Sequence, residues 1–347
     1  MGYKRIIVGT DGSPTATLAQ GVAGRLAKRF KAELVIVCAY EPPRIAIPMA
    51  QAFLERARDD AERQRVRASV VLERGDPQDV ILGLAEREGA DLIVVGNKGM
   101  GQATRFKLGS VPDRVAHFAP CDLLIVNTTK PGRPGAGSSG TYQRIVVGTD
   151  GSSTASEAAR KAFELAMLFE AEVTLVYAAG DPIVGAILLE QTAAARPDGV
   201  DVKPRVVEGE PAQTICAVAE MEGAGLIVVG NKGMAGARRF LGSVPNNVAH
   251  HAPTDVLIAK TVDRSISEIA PGHGAVIDVS GRRLAIYRDQ AGQLSAISPR
   301  CTHMGCTVDW NDGASTWDCP CHGSRYDPYG EVIRGPADRP LAKLDLP

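Results

Sequence analysis

Two short stretches near the end of the sequence carry side chains that could bind a metal centre. They read CTHMGC from Cys301 and CPCHGSRY from Cys319, and fifteen residues separate His303 from Cys319. Each stretch supplies one Cys and one His, as C-x-H in the first and C-x-x-H with His322 in the second. Two thiolates on one iron and two imidazoles on the other hold one type of [2Fe–2S] cluster. The same four side chains could also hold a zinc ion in a tetrahedron.

The seven cysteines are unevenly distributed along the chain. Four of them fall within 301–321, and such clustering in a reducing compartment predicts a metal site before a disulfide framework. Cys38, Cys121 and Cys216 stand alone in apolar segments, so we expect them to be small buried side chains.

Composition excludes several classes of partner. The 347 residues are 44% hydrophobic and 23% charged, which is typical of a globular protein with two or three domains. A net charge of −1 without a basic run disfavours nucleic acid or an anionic membrane as the main partner. No apolar run reaches the length of a membrane span and no cleavable leader stands at the start, so we expect a cytoplasmic protein.

A long internal repeat organises the first three quarters of the sequence. Residues 5–19 recur at 144–158, and 91–111 recur at 225–244 with one residue fewer between Gly233 and Gly242. A repeat of this length indicates two whole domains in tandem rather than solenoid units. The predicted organisation is a first copy (1–128), a Gly- and Pro-rich linker (129–142), a second copy (143–261) and a third domain (262–347).

Each copy alternates short apolar runs with longer amphipathic stretches. This pattern predicts an α/β domain whose parallel sheet is covered by helices on both faces. In the first copy the predicted strands are 5–9, 33–39, 68–72, 92–96 and 123–126, and the predicted helices include 14–30 and 77–88. The third domain instead has short alternating runs at 275–279, 283–287 and 294–297, which predict a small all-β fold.

The loop after the fourth predicted strand has the chemistry of a phosphate cradle. Gly96 and Gly99 are followed, after nine intervening residues, by Gly109-Ser110, where a helix is predicted to begin. Glycines let the backbone approach phosphate oxygens, and a helix N-terminus offers free amides and a positive dipole. Asp11 follows the first strand at the sheet edge where α/β proteins bind ligands, and could accept hydrogen bonds from a ribose or an adenine. Alternatively, these glycines serve only tight turns and close packing.

The pattern G-x2-G-x9-G-S after an apolar strand, with T-D-G-S after the first strand, resembles the ATP-binding universal stress protein family over residues 1–260. The resemblance implies two tandem five-stranded, Rossmann-like α/β domains that bind ATP or a related adenine nucleotide. It also implies pairing through the last strand, here as a pseudo-dimer within one chain, with a homodimer also possible. The family site maps in the first copy onto Gly9, Thr10, Asp11, Ala39, Val95, Gly96, Gly99, Gly109, Ser110 and Val111. In the second copy, whose loop is one residue shorter, it maps onto Gly148, Thr149, Asp150, Ala178, Gly230, Gly233, Gly242, Ser243 and Val244.

Residues 262–347 resemble Rieske [2Fe–2S] domains of the disulfide-containing type found in respiratory complexes. The resemblance implies that Cys301 and Cys319 bind one iron and that His303 and His322 bind the other. It further implies a Cys306–Cys321 disulfide between the two loops, and hydroxyl donors to the cluster from Ser324 and Tyr326. Such donors, with neutral imidazole ligands, favour the reduced state and predict a high potential. Zinc would explain neither the two further cysteines nor the two hydroxyls.

Two functions are compatible with this sequence. The first is a cytoplasmic adenine-nucleotide-binding stress protein whose high-potential cluster transfers or senses one electron. The alternative is an electron carrier or oxidoreductase component in which the stress domains are a docking or dimerisation scaffold. No constellation for ATP hydrolysis or oxygenation is recognisable, so no enzyme class is predicted. The sequence does not identify the redox partner.

Overall fold

The computed structural model describes the chain apart from residues 1, 43–45, 99–107, 129–141, 179, 232–240, 261–265, 267–268, 280–281, 304, 320–321 and 347. The chain forms two compact units, Met1–Thr261 and Val262–Pro347. Within the described ranges, no helix has both the length and the apolar character needed to cross a membrane.

The first copy alternates strands and helices as predicted. Helix α1 begins after Ser13, whose hydroxyl accepts a hydrogen bond from the amide of Ala16, and it ends at Lys31 in a left-handed conformation. The elements are β1 (Arg5–Gly9), α1 (Pro14–Phe30), β2 (Glu33–Tyr40), α2 (Ile47–Arg63), β3 (Ala68–Arg74), α3 (Pro77–Glu88), β4 (Leu92–Gly96), α4 (Ser110–Phe118) and β5 (Asp122–Val126).

The second copy repeats this order. Its elements are β6 (Arg144–Gly148), α5 (Ser153–Phe169), β7 (Glu172–Ala178), α6 (Pro182–Ala194), β8 (Val202–Val207), α7 (Pro211–Glu222), β9 (Leu226–Gly230), α8 (Ser243–His251) and β10 (Asp255–Ala259).

The two copies share one ten-stranded sheet with the order β3-β2-β1-β4-β5-β10-β9-β6-β7-β8. Strands within each copy are parallel, whereas β5 and β10 pair antiparallel with Leu124 opposite Leu257. Neighbouring side chains of β1 lie in different cores, since Ile6 belongs to one buried cluster and Ile7 to the other. The predicted covered sheet and the pairing of the two copies through their last strands are confirmed.

A buried carboxylate lies at the start of β5 and joins the two copies. Asp122 is 2% exposed and accepts hydrogen bonds from the Tyr3 hydroxyl (2.8 Å) and the Lys260 amide (2.9 Å). The ammonium of Lys161, in the second copy, lies 2.9 Å from the same carboxylate. Asp122 is therefore buried together with a cation.

The equivalent carboxylate of the second copy has different surroundings. Asp255 is fully buried and accepts hydrogen bonds from the Tyr142 hydroxyl (3.0 Å) and the Asn127 amide (2.9 Å). Val22 occupies the position in α1 that Lys161 occupies in α5. Burial raises the pKa of Asp255 to about 7, and the Asn127 and Tyr142 hydrogen bonds oppose this only in part.

The second unit is a small all-β domain, as predicted. It contains two four-stranded sheets, β11-β12-β13-β18 and β14-β15-β16-β17, with antiparallel neighbours. Trp317 and Tyr326 are fully buried beside the two candidate ligand stretches. The strands are β11 (Gly274–Val279), β12 (Arg282–Arg288), β13 (Leu294–Ile297), β14 (Asp309–Asn311), β15 (Thr316–Asp318), β16 (Arg325–Tyr326), β17 (Val332–Arg334) and β18 (Lys343–Leu344).

Candidate metal centre and nucleotide-binding sites

The two ligand stretches fold into loops with the same local backbone. The amide of Gly305 donates to the carbonyl of Cys301 at 2.8 Å, and Gly323 donates to Cys319 at 3.0 Å. Both glycines are left-handed, with φ of 73° and 72°, and a Cβ on either would meet no atom of the described residues within 4 Å. Backbone conformation rather than space therefore accounts for glycine at both positions.

Each loop is closed a second time at its base. The Cys301 amide donates to the Cys306 carbonyl at 2.8 Å, and the Cys319 amide donates to the Ser324 carbonyl at 2.7 Å. These bonds bring the last residue of each tight turn back beside the cysteine that begins it. The two thiols are consequently presented by equivalent turns.

Thiols and imidazoles differ in their exposure to solvent. Cys301 and Cys319 are each 3% exposed, whereas His303 and His322 are exposed. The centroids of the two imidazole rings lie 5.0 Å apart, with the rings nearly perpendicular. The four predicted ligands thus lie in two adjacent turns, with sulfur on the inner side and nitrogen on the outer side.

Hydrogen bonds converge on the sulfur of Cys301. The Tyr326 hydroxyl lies 3.1 Å from Sγ, and its oxygen also accepts the amide of Thr302 at 3.2 Å. Burial alone would raise the pKa of the Cys301 thiol, but hydrogen bonds from Tyr326, the His303 amide, Cys319 and Ser324 hold it below its ordinary value. Cys301 is consequently surrounded by groups that favour a negatively charged sulfur.

The donor chemistry of the loops fits a two-iron cluster. Ser324 is fully buried, and its Oγ accepts the Ala337 amide at 3.1 Å besides hydrogen bonding to Cys301. Two buried thiols, two exposed imidazoles and two hydroxyls beside the sulfur are the types of group that such a cluster requires. In the part of the chain that the structure describes, no three Cys, His, Asp or Glu side chains converge on a single metal-ion position.

The bridging cysteines are described only in part. Cys306 is disulfide-bonded. Cys321, its predicted partner, lies outside the described residues, so the Cys306–Cys321 pairing stays a prediction. Among the described residues, Cys38, Cys121, Cys216, Cys301 and Cys319 are not in a disulfide.

The predicted nucleotide residues of the first copy gather at one edge of the sheet. Gly9 ends β1, Ala39 lies near the end of β2, and Val95 and Gly96 end β4, so the carboxyl ends of three parallel strands converge. Asp11 follows β1, and its carboxylate accepts the amide of Ser13 at 3.0 Å. Asp150 accepts the amide of Ser152 at 3.0 Å in the second copy. These carboxylates also stabilise their own turns, a role that the sequence analysis missed.

Close packing accounts for several of the glycines. A Cβ on Gly148 would lie 2.4 Å from Ile215, and one on Gly9 would lie 2.9 Å from Ile81. At Gly230 a Cβ would lie 2.6 Å from the carbonyl oxygen of Thr154, which is backbone and cannot yield easily. At these three positions close packing is sufficient to explain the glycine without a bound ligand.

Gly109 is different, because neither backbone nor space requires glycine there. Its φ is −68°, which any residue can adopt, and among the described residues the nearest atoms to a Cβ would lie at an ordinary 3.6 Å. Gly109 is the N-cap of α4, a position where Ser, Thr, Asp or Asn would stabilise the helix, and no side chain caps it. Gly109 therefore leaves the start of α4 without a side-chain cap.

The first turn of α4 offers unused donors. No hydrogen bond within the described ranges reaches the amides of Ser110 or Val111. The second copy is equivalent, with Gly242 (φ −63°) before Ser243 and Val244. Gly99 and Gly233 lie outside the described residues. Thr10, Thr149 and Ala178 lie at the carboxyl edge of the sheet, at or directly beyond the ends of their strands.

Comparison with known families agrees with the two units. The universal stress protein family model matches residues 2–127, 141–190 and 184–260, which together make up more than half of the chain. The Rieske [2Fe-2S] domain model matches residues 259–345.

Individual relatives cover parts of the chain. The candidate Rieske 2Fe-2S iron–sulfur protein YhfW of Bacillus subtilis is 50% identical over 84 residues, 24% of this chain and 16% of the relative. The cytochrome b6-f complex iron–sulfur subunit of Parasynechococcus marenigrum is 59% identical over 84 residues, 24% of this chain and 43% of the relative. The chain thus spans less than half the length of either curated relative. A universal stress protein of Archaeoglobus fulgidus shares the fold, with a TM-score of 0.54 and 21% identity over 74% of this chain and 98% of that chain.

Proposed function

From the premise that this chain belongs to the universal stress protein family and carries a C-terminal Rieske [2Fe–2S] domain, we propose that it binds an adenine nucleotide and transfers or senses one electron. The Rieske domain supports a [2Fe–2S] cluster as the redox group. ATP, or a related adenine nucleotide, is the proposed ligand of the tandem domains. The partner that supplies or accepts the electron is a protein or small molecule of matching potential.

The observation that carries the redox part is the pair of equivalent ligand turns. In the proposal Cys301 and Cys319 hold one iron, and His303 and His322 hold the other. When bound, a cluster with this ligand set supplies reversible one-electron chemistry at a higher potential than all-cysteine clusters. The chain itself provides a buried, hydrogen-bonded environment for the two thiolates and a solvent-facing position for the two imidazoles.

The exposed histidines define where exchange with a partner takes place. His303 and His322 lie on the solvent side of the turns, whereas the thiols are covered by Tyr326 and Trp317. An approaching redox partner therefore meets imidazole first.

The nucleotide part of the proposal rests on the first turn of α4. Gly109 adds no side chain there, Ser110 supplies a hydroxyl, and the amides of Ser110 and Val111 have no hydrogen-bond partner among the described residues. Free amides at a helix N-terminus favour a phosphate group. The adjacent Asp11 and Thr10 lie at the same sheet edge, where a ribose or base would extend.

Two measurements on the purified full chain test the proposal. We expect two irons and two acid-labile sulfides per chain, together with calorimetric binding of ATP that is lost on Gly109→Val combined with Gly242→Val. One zinc per chain and no sulfide would refute the redox part. A protein with the cluster but without nucleotide binding would favour the alternative, an electron carrier built on the ten-stranded sheet as a scaffold. Pull-downs of the oxidised and reduced protein, with and without ATP, would then identify the partner.

A further inference from the structure

A histidine from each copy reaches across the junction to the other copy's candidate phosphate cradle. The amide of Leu108 donates to Nδ1 of His250 at 3.2 Å, although the two residues are 142 positions apart. In the reciprocal contact the amide of Leu241 donates to Nδ1 of His117 at 3.3 Å. Leu108 directly precedes Gly109, and Leu241 directly precedes Gly242. Each imidazole therefore binds the peptide that leads into the other copy's cradle.

The hydrogen bonds of His250 define its tautomer. Because the Leu108 amide is a donor, Nδ1 must carry no proton, and the ring proton is then on Nε2. Nε2 lies 3.1 Å from the Asp113 carboxylate, which accepts that proton's hydrogen bond. Both ring nitrogens of His250 are thus used, and both partners belong to the first copy.

The two partners of His250 flank the cradle on either side. Leu108 precedes the open N-cap, and Asp113 lies in the first turn of α4. Between them are Gly109, Ser110 and Val111, and the amides of Ser110 and Val111 are the proposed phosphate donors. The His250 side chain is only 22% exposed, so water competes little for these bonds.

We propose that His250 is a positioning residue for the nucleotide site of the first copy, and that His117 has the same role for the second copy. This inference rests on the proposed nucleotide binding. Holding the Leu108 peptide fixes the direction in which the chain enters α4, and hence the direction of the Ser110 and Val111 amides. Preorganised donors bind an anion more tightly than donors that must first be ordered. Each site is consequently completed by a residue from the other copy.

ATP binding at the two sites is measured separately, in two substituted proteins that each retain one phosphate cradle. Gly242→Val leaves the first-copy site, and Gly109→Val leaves the second-copy site. We expect His250→Phe to weaken ATP binding about tenfold in the Gly242→Val background, which corresponds to about 1.4 kcal/mol for the lost hydrogen bonds. The same substitution should leave affinity unchanged in the Gly109→Val background. His117→Phe should give the opposite pattern.

A matched control is adjacent in the sequence. His251 is exposed and its Nδ1 lies 2.8 Å from the Asn247 carbonyl of its own helix, so His251→Phe should leave both sites unchanged. His250→Asn keeps a hydrogen-bond acceptor near the position of Nδ1 and should recover part of the affinity lost in His250→Phe. Melting temperatures of all variants identify any that fail to fold. If His250→Phe is among them, the ATP affinity of His250→Asn tests the role of His250 instead.

The possible outcomes are distinguishable. Equal loss at both sites, loss at the second-copy site alone, or no loss at either on His250→Phe would overturn the inference while leaving the proposed function intact. No ATP binding by the unsubstituted protein would overturn the proposed function, and this inference with it.

Discussion

The hydroxyl oxygen of Tyr326 lies 3.1 Å from Sγ of Cys301, and both residues are buried. That oxygen already accepts the Thr302 amide at 3.2 Å, so its own proton is available to Sγ of Cys301 or to the Thr302 hydroxyl oxygen, which also lies 3.2 Å away. A thiolate bound to iron can only accept a hydrogen bond. The pair therefore places one buried donor on one proposed ligand of the cluster.

Removing this donor should lower the midpoint potential. A hydrogen bond to sulfur stabilises the reduced cluster more than the oxidised one, because the reduced cluster is more negative. For Tyr326→Phe we expect a loss of about 1–2 kcal/mol of this preference, or roughly 40–90 mV for one electron. Redox titration followed by EPR measures the shift.

Tyr329 provides the matched control for that substitution. Its side chain is 47% exposed and packs edge-on against Tyr287 rather than against either ligand turn. Tyr329→Phe should leave the potential unchanged. Equal shifts in the two variants would show that the Tyr326–Cys301 contact does not set the potential.

Substitutions at two glycines should separate an effect on nucleotide binding from an effect on packing. Gly230→Ala places a Cβ 2.6 Å from a backbone oxygen and should lower stability by about 1–3 kcal/mol. Gly109→Ala meets only ordinary contacts at 3.6 Å, so its melting temperature should match the unsubstituted protein while ATP affinity falls. Calorimetry and thermal unfolding together make the comparison. Unchanged ATP affinity in Gly109→Ala would argue against phosphate binding at the start of α4.

Asp255 should make stability depend on pH. Its pKa is raised from 3.8 to about 7, so between these values the folded protein keeps a proton that the unfolded chain releases. The free energy of unfolding then decreases as pH rises through this interval, by up to about 1.4 kcal/mol per pH unit, and levels off above it. Asp255→Asn keeps the shape of the side chain and removes this dependence.

The measurement for Asp255 is a difference between two curves. The stability of Asp255→Asn minus that of the unsubstituted protein should increase from about pH 4 to about pH 7 and stay constant above. Taking the difference cancels the contributions of the other titrating groups to the pH dependence of stability. A flat difference would show that Asp255 does not titrate in this interval.

The ammonium of Lys161 lies beside the buried carboxylate of Asp122, whereas Val22 stands at the equivalent position near Asp255. Lys161→Met leaves a carboxylate that is 2% exposed without its ammonium, and should destabilise the protein by about 2–4 kcal/mol near pH 8. Val22→Lys places an ammonium at the equivalent position near Asp255. It should remove the pH dependence assigned to Asp255, and retention of that dependence would contradict the assignment.

The sequence predicted the regular part of the fold because continuous apolar strands alternate with long amphipathic helices. All five strands predicted for the first copy are present, and the last, 123–126, begins one residue earlier at Asp122. Strands β14 to β18 contain only two or three residues each, too few for an alternating pattern. Their positions follow from the closed ligand turns and from Trp317 and Tyr326 in the core.

The candidate sites were predictable to different extents. The Cys and His spacing is local, so sequence alone indicated the ligand turns. The contacts of His250 with Leu108 and Asp113 join residues far apart in the chain, and depend on the antiparallel pairing of β5 with β10. The steric role of Gly230 against Thr154 likewise depends on how α5 packs on the sheet. Neither could be predicted from local patterns.

We propose that the turns at Cys301 and Cys319 hold a high-potential [2Fe–2S] cluster. The most direct test of this claim is an EPR-monitored redox titration of the full chain, with iron and sulfide determined on the same sample. We predict two irons, two sulfides and a one-electron midpoint in the upper part of the range of roughly −150 to +300 mV. A midpoint below about −150 mV, or a protein without iron, would contradict the claim.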